Sequence, residues 1–105
     1  IEPLRTLVEL EKLYLGRNRI SDISPLGSLR NLKDLRLAYN EIQSVLPLAS
    51  LGELEFLELR SNQLADVAPL HSLNALRQVN LWDNPLTPGR IAALRRSLPV
   101  SDIQF

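Results

Sequence analysis

One phrase returns along this chain every 22 residues. It reads "LEKLYLGRNRI" from Leu10, "LKDLRLAYNEI" from Leu32, "LEFLELRSNQL" from Leu54 and "LRQVNLWDNPL" from Leu76. One slot holds Leu13, Leu35, Leu57 and Val79, and the next apolar slot holds Leu15, Leu37, Leu59 and Leu81. An asparagine follows each time, at Asn18, Asn40, Asn62 and Asn84. The intervening segments "SDISPLGSLRN", "QSVLPLASLGE" and "ADVAPLHSLNA" agree as well, with Pro, Leu, Ser and Leu at fixed offsets. A unit this short cannot bury its apolar side chains alone. Copies in register must stack, and each then covers its neighbour.

Within a phrase, apolar residues two apart share one face of a strand, which predicts one short strand per repeat. The asparagine falls where the chain must turn out of that strand. Its amide both donates and accepts, so it can satisfy backbone groups that the turn leaves unpaired. Repeated in every copy, it predicts a buried ladder with a structural role. Pro25, Pro47 and Pro69 mark the opposite side as turns rather than regular α-helix.

The ends depart from the repeat. Residues 1–9, "IEPLRTLVE", align with "ISPLGSLRN", the back half of a repeat. The expectation is a repeat upstream of them, and self-association through residues 1–20 when that edge is uncovered. After residue 86 the sequence becomes "TPGRIAALRRSLPVSDIQF". Thr87 can cap a helix, Pro88 suits its first turn, and Ile91, Leu94 and Leu98 recur at helical spacing. Arg95 and Arg96 suit the helix C-terminus, and Pro99 is placed to end it. Ile103 lies 22 residues after Leu81, which predicts a degenerate fifth strand. The division is one domain over 1–105: four repeats from 10, 32, 54 and 76 through residue 86, and a C-terminal cap over 87–105.

The LxxLxLxxNxL pattern resembles the leucine-rich repeat family along the whole chain. Its phrasing is most similar to the 22-residue class of bacterial internalin-like proteins and eukaryotic phosphatase regulatory subunits. The resemblance implies an α/β solenoid with short parallel strands on the concave face and irregular or 3-10 turns on the convex face. It also implies a helical C-terminal cap, and it tilts the location toward secreted or cell-surface. Ten arginines against two lysines point to a GC-rich genome, which together with the internalin-like phrasing tilts the source toward a bacterium.

Catalytic and cofactor chemistry find no foothold. His71 is the only histidine, and its neighbour Ser72 repeats Ser28 and Ser50, so the serine is scaffold. No HExxH, P-loop, GxGxxG or EF-hand pattern occurs, cysteine is absent, and the carboxylates are spread rather than clustered. We therefore expect no enzyme, no metal and no cofactor. Lys+Arg and Asp+Glu balance at 12 each, and Glu11, Lys33, Glu55 and Arg77 alternate in sign, so no basic stripe exists for a nucleic acid. Neither a membrane-spanning run nor a basic excess for a membrane surface is present.

What remains is the strand face turned away from the leucines: the third, fifth, seventh and eighth residues of each phrase. Four of the chain's five aromatic residues, Tyr14, Tyr39, Phe56 and Trp82, lie in these 16 positions, less than a sixth of the chain. Core packing does not account for them, because the repeat gives these slots to solvent. Stacked neighbours about 4.8 Å apart can pair with each other, Arg60 with Trp82 and Arg17 with Tyr39 through cation–π contacts. Lys12 with Asp34 and Arg36 with Glu58 are expected to pair by charge. Aromatics mixed with arginines are also the composition of protein-binding hot spots. The candidate partner-binding residues are Tyr14, Arg17, Arg36, Tyr39, Phe56, Glu58, Arg60, Asn80, Trp82 and Asp83. The expected function is a non-catalytic module that binds a protein or peptide on this face. The alternative is a spacer within a longer solenoid.

Overall fold

The computed structural model describes residues 1–98 and 102–105. Strands β1 (Lys12–Tyr14), β2 (Asp34–Arg36), β3 (Phe56–Glu58), β4 (Gln78–Asn80) and β5 (Asp102–Gln104) form one parallel sheet in sequence order. Residues 22 apart stand side by side across the repeats, as in Leu13↔Leu35, Leu35↔Leu57 and Leu57↔Val79. The expected fifth strand forms, but its register is shifted by two residues: Ile103, which the 22-residue spacing aligns with Leu81, stands opposite Val79.

Each return passes through a five-residue 3-10 helix, at Glu2–Thr6, Ser24–Ser28, Leu46–Ser50 and Ala68–Ser72. Proline occupies the first turn of each, where its missing N–H costs no hydrogen bond. The leucine following each one donates back to the leucine three before it, as from Leu29 to Leu26 at 3.0 Å. This closes the turn without a full α-helical repeat.

Between the two layers lies a leucine core. Leu26, Leu35, Leu37, Leu48, Leu54 and Leu59 are fully enclosed, each contributing roughly 1.5–3 kcal/mol by leaving water. At the N-terminal side Leu13 and Leu15 are only partly buried, against full burial of their counterparts Leu35 and Leu37. At the other end Leu94 of α1 (Pro88–Ser97) and Leu98, just past the helix end, cover the core. Thr87 caps it, its hydroxyl accepting from the Arg90 N–H at 3.3 Å. The Arg95 guanidinium lies 4.9 Å from the centre of the Phe105 ring. Pro99, the expected helix stop, falls outside the described residues.

The asparagine ladder forms, with Asn40 and Asn62 buried as expected but Asn84 half-buried and Asn18 exposed. Asn62 donates to the carbonyls of Leu37 at 2.9 Å and Leu59 at 3.0 Å, and accepts from the Ile42 N–H at 3.1 Å. Asn40 does the same for Leu15, Leu37 and Ile20, and Asn84 for Leu59, Leu81 and Leu64. Asn18 reaches only carbonyls of its own turn, Leu15 and Gly16.

Just before each asparagine the backbone turns left-handed: Arg17 at φ 59°, Tyr39 at 60°, Ser61 at 56° and Asp83 at 59°. Such a turn costs a residue bearing Cβ roughly 1–3 kcal/mol, so its surroundings must hold it. They do so from both sides. The N–H groups of Arg17, Tyr39 and Ser61 donate to carbonyls on the following repeat, and the adjacent asparagine clamps the carbonyls just upstream.

Candidate functional site

The strand face carries two groups of side chains. The first gathers around Asp34, which shares its slot with exposed Lys12, Phe56 and Gln78 yet is buried itself. Tyr14 covers it from the preceding strand and donates its hydroxyl to Asp34 Oδ2 at 2.8 Å. Arg36 covers it from its own strand, through Nε to Oδ1 at 3.1 Å and Nη2 to Oδ2 at 3.2 Å. The Arg36 guanidinium also lies 4.5 Å from the centre of the Tyr14 ring.

This overturns the expected charge pairing. Lys12 stands opposite Asp34 and Arg36 opposite Glu58 in the sheet register, yet neither pair forms an ion pair. Arg36 instead chelates the carboxylate two residues back, which sits on the same side of its strand. That geometry is bidentate, and it adds a ring to stack against. Asp34 thus becomes the hub of this group, where sequence reasoning had given it only a pairing with Lys12.

Burial pushes the Asp34 carboxyl up. The hydrogen bonds from Arg36 and Tyr14, with the charges of Arg36 and Lys12, outweigh burial and leave it below the usual carboxylate value of 3.8. The Tyr14 hydroxyl is correspondingly raised, first by its bond to Asp34. A depressed folded-state pKa gives stability that is present above the unfolded value and lost as pH falls through the folded one. The difference in stability between wild type and Asp34→Asn should therefore shrink as pH drops below about 3.8. Thermal melts across that acid range check it; a difference that does not change with pH would refute the role given to Asp34.

The second group lies where the strands end. The Arg17 guanidinium is 4.5 Å from the Tyr39 ring centre, and Arg60 is 5.6 Å from Tyr39 and 4.7 Å from Trp82. The two expected cation–π pairs are therefore part of one alternating stack, Arg17–Tyr39–Arg60–Trp82. Among the described residues, Arg60 Nε is the single buried side-chain nitrogen or oxygen without a hydrogen-bond partner.

Polar groups beside the stack are held locally. Glu58 accepts from the Arg60 N–H at 2.9 Å and from Asn80 Nδ2 at 3.3 Å. Asn80 Oδ1 accepts from the Trp82 N–H at 2.9 Å, and Asp83 accepts from the Ser61 hydroxyl at 2.8 Å. Beside the Asp34 group, Asp34, Arg36, Phe56, Glu58, Gln78 and Asn80 line an open depression of about 180 Å³. Tyr14 is 54% exposed, Tyr39 37%, Phe56 39% and Trp82 52%, so the aromatics face solvent as the repeat register predicted. His71 lies on the convex side, exposed, with Nδ1 2.7 Å from the Ala68 carbonyl oxygen.

A parallel ladder of 22-residue units with an asparagine spine and 3-10 returns defines a leucine-rich repeat solenoid. This chain is a leucine-rich repeat protein, and its structure matches those of Listeria internalins. The family model described as leucine rich repeats (2 copies) matches residues 8–50. Internalin C2 of Listeria monocytogenes is 38% identical over 97% of this chain, with a TM-score of 0.81. An internalin (inlF) of the same organism is 29% identical over 98% of it, with a TM-score of 0.89. A leucine-rich repeat protein of Leptospira interrogans is 29% identical over all of it, with a TM-score of 0.91. The chain spans 46%, 30% and 28% of those three chains respectively. No curated protein matches the sequence significantly. Leucine-rich repeat domains commonly bind proteins and are generally non-catalytic.

Proposed function

We propose that this chain is a bacterial, non-catalytic interaction module that binds a protein or peptide on its concave strand face. One observation carries the reading: four aromatics stand exposed on one face, and three of them, Tyr14, Tyr39 and Trp82, are stacked against arginines there. Stacked arginines, and Asp34 bonded to Tyr14 and Arg36, hold those three rings, so a partner orders few side chains on arrival. Aromatic anchors among arginines, with little ordering cost, are what hot spots are made of. The test compares proteins recovered by wild type with those recovered by a Phe56→Ala, Trp82→Ala double variant. A specific partner lost with the two rings supports the face, and equal recovery moves the search to another surface.

The second reading is a structural spacer of a longer repeat protein whose binding surface lies elsewhere; the size of the face bears on how much of a contact this segment makes. Sixteen positions fall short of the roughly 20–30 residues a side that a standard interface uses. We infer that the contact is either peptide-sized or shared with further repeats.

The edge at β1 is a second adhesive surface in our reading. Among the described residues β1 pairs on one side only, Leu13 and Leu15 are incompletely covered, and Leu7 and Val8 are 47% and 49% exposed. Unpaired strand edges over apolar surface invite pairing with another chain. The 105-residue chain, expressed alone, should self-associate through residues 1–20. Sedimentation over a rising concentration series checks this, and a monomer at every concentration would refute it.

A further inference from the structure

The charged groups of the strand face divide into those already answered and those not. Arg36 is chelated by Asp34, Glu58 accepts from Arg60 N–H and Asn80, and Asp83 accepts from Ser61. Arg17 and Arg60 differ. Among the described residues neither guanidinium donates a hydrogen bond or lies within ion-pair distance of a carboxylate, and the buried Nε of Arg60 lacks a partner. Both are nonetheless fixed, Arg17 against Tyr39 and Arg60 between Tyr39 and Trp82. Stacking uses the flat face of a guanidinium and leaves its in-plane N–H donors for a carboxylate. The face therefore presents two ring-stacked cations with free in-plane donors. Among the described residues Lys12 is unpaired too but has no ring beside it, and Glu58 and Asp83, held by neutral donors, lie beyond ion-pair distance of either arginine.

Their spacing narrows the occupant. Arg17 fills the eighth slot of the first phrase and Arg60 the seventh slot of the third, so two strand spacings and a one-residue offset along the strand separate them, about 10 Å in all. A β-strand places side chains of one face about 6.7 Å or 13 Å apart, and neither fits. A polyproline-II segment repeats every three residues at 3.1 Å each, which places residues i and i+3 on one face about 9.3 Å apart. Tyr39 between the cations and Trp82 beyond them supply flat rings, the kind of surface against which proline-rich segments dock.

We propose that the Arg17–Tyr39–Arg60–Trp82 stack is the docking edge for an acidic polyproline-II segment of a protein, with carboxylates three residues apart. This rests on the reading of the concave face as the binding surface.

The probe is a capped peptide, Glu-Pro-Pro-Glu-Pro-Pro-Glu, titrated into the full chain at low ionic strength. Emission from Trp82, the sole tryptophan, reports binding at the stack itself. Two further peptides replace every Glu with Gln or separate the carboxylates by three prolines. The expected result is a saturable change with the first peptide and binding weaker by at least about tenfold with the other two, the factor one charge-assisted hydrogen bond carries. Arg17→Gln and Arg60→Gln should each weaken the first peptide by a similar factor, and Arg77→Gln, on a residue paired with Glu55, should not. No binding of the acidic peptide, or equal binding of the Gln peptide or of the wider spacing, overturns the proposal. The peptide comparison needs no variant, so a misfolded substitution cannot obscure it. If the acidic peptide fails while a protein partner is still lost on Trp82→Ala, the concave face stands and the acidic segment falls. If that partner is retained, the face itself falls.

Discussion

Asn62→Ala should destabilise the fold by roughly 1–3 kcal/mol, the cost of a single buried orphan. Which group is orphaned follows from the ladder. The Leu37 carbonyl also accepts from Asn40 at 3.0 Å, and the Leu59 carbonyl also accepts from Asn84 at 3.0 Å, so both keep a donor. Only the N–H of fully buried Ile42 loses its acceptor. Asn40→Ala exposes the same weakness at Ile20, but Ile20 is only partly buried, so water can reach it and the loss should be smaller. The double variant is the sharper case. Leu37 then loses both of its amide donors at once, and the damage should exceed the sum of the two single losses by roughly another 1–3 kcal/mol. Urea melts of wild type, both single variants and the double variant measure this coupling. His71→Ala, exposed on the convex side, is the control and should stay within about 0.5 kcal/mol of wild type. Strict additivity would sever the shared-carbonyl link. His71→Ala as damaging as Asn62→Ala would overturn the repeat register.

What could be read from the sequence was whatever the repeat states several times. Leu13, Leu35, Leu57 and Val79 agree on one slot, and the sheet register sets them side by side. The same logic exposed Trp82, because its slot is out of phase with Leu81. The left-handed turns were not legible, since Arg17, Tyr39 and Ser61 are poor local signals for that conformation. Backbone bonds from the next repeat and the asparagine clamp impose it, overriding local preference. Asp34 was hidden for a related reason. Its slot holds Lys, Phe and Gln elsewhere, and its burial comes from the reach of Tyr14 and Arg36 rather than from its own position. Strand spacing predicted which residues stand opposite each other. It could not predict that Arg36 would prefer a bidentate bond to Asp34 and a ring over the facing Glu58.

Trp82→Ala separates the two roles that remain for the stack. If the rings serve only to hold each other, removing Trp82 costs the fold its contact with Arg60, roughly 0.5–1 kcal/mol, and no partner notices. If the face binds, the same change removes a half-exposed anchor and frees Arg60 from one of its two rings. Affinity for a protein partner should then fall by about 2 kcal/mol or more, roughly thirtyfold in Kd. The fold should lose little, because the leucine core lies behind the sheet and Leu81 keeps its place. The two outcomes differ in which quantity moves, so both must be measured on the same preparations. A thermal melt reads stability, and equilibrium binding of a recovered partner reads affinity. A large fall in affinity with melts nearly coincident assigns the stack to recognition. A shifted melt with affinity unchanged would return Trp82 to the scaffold, and the concave-face assignment would go with it.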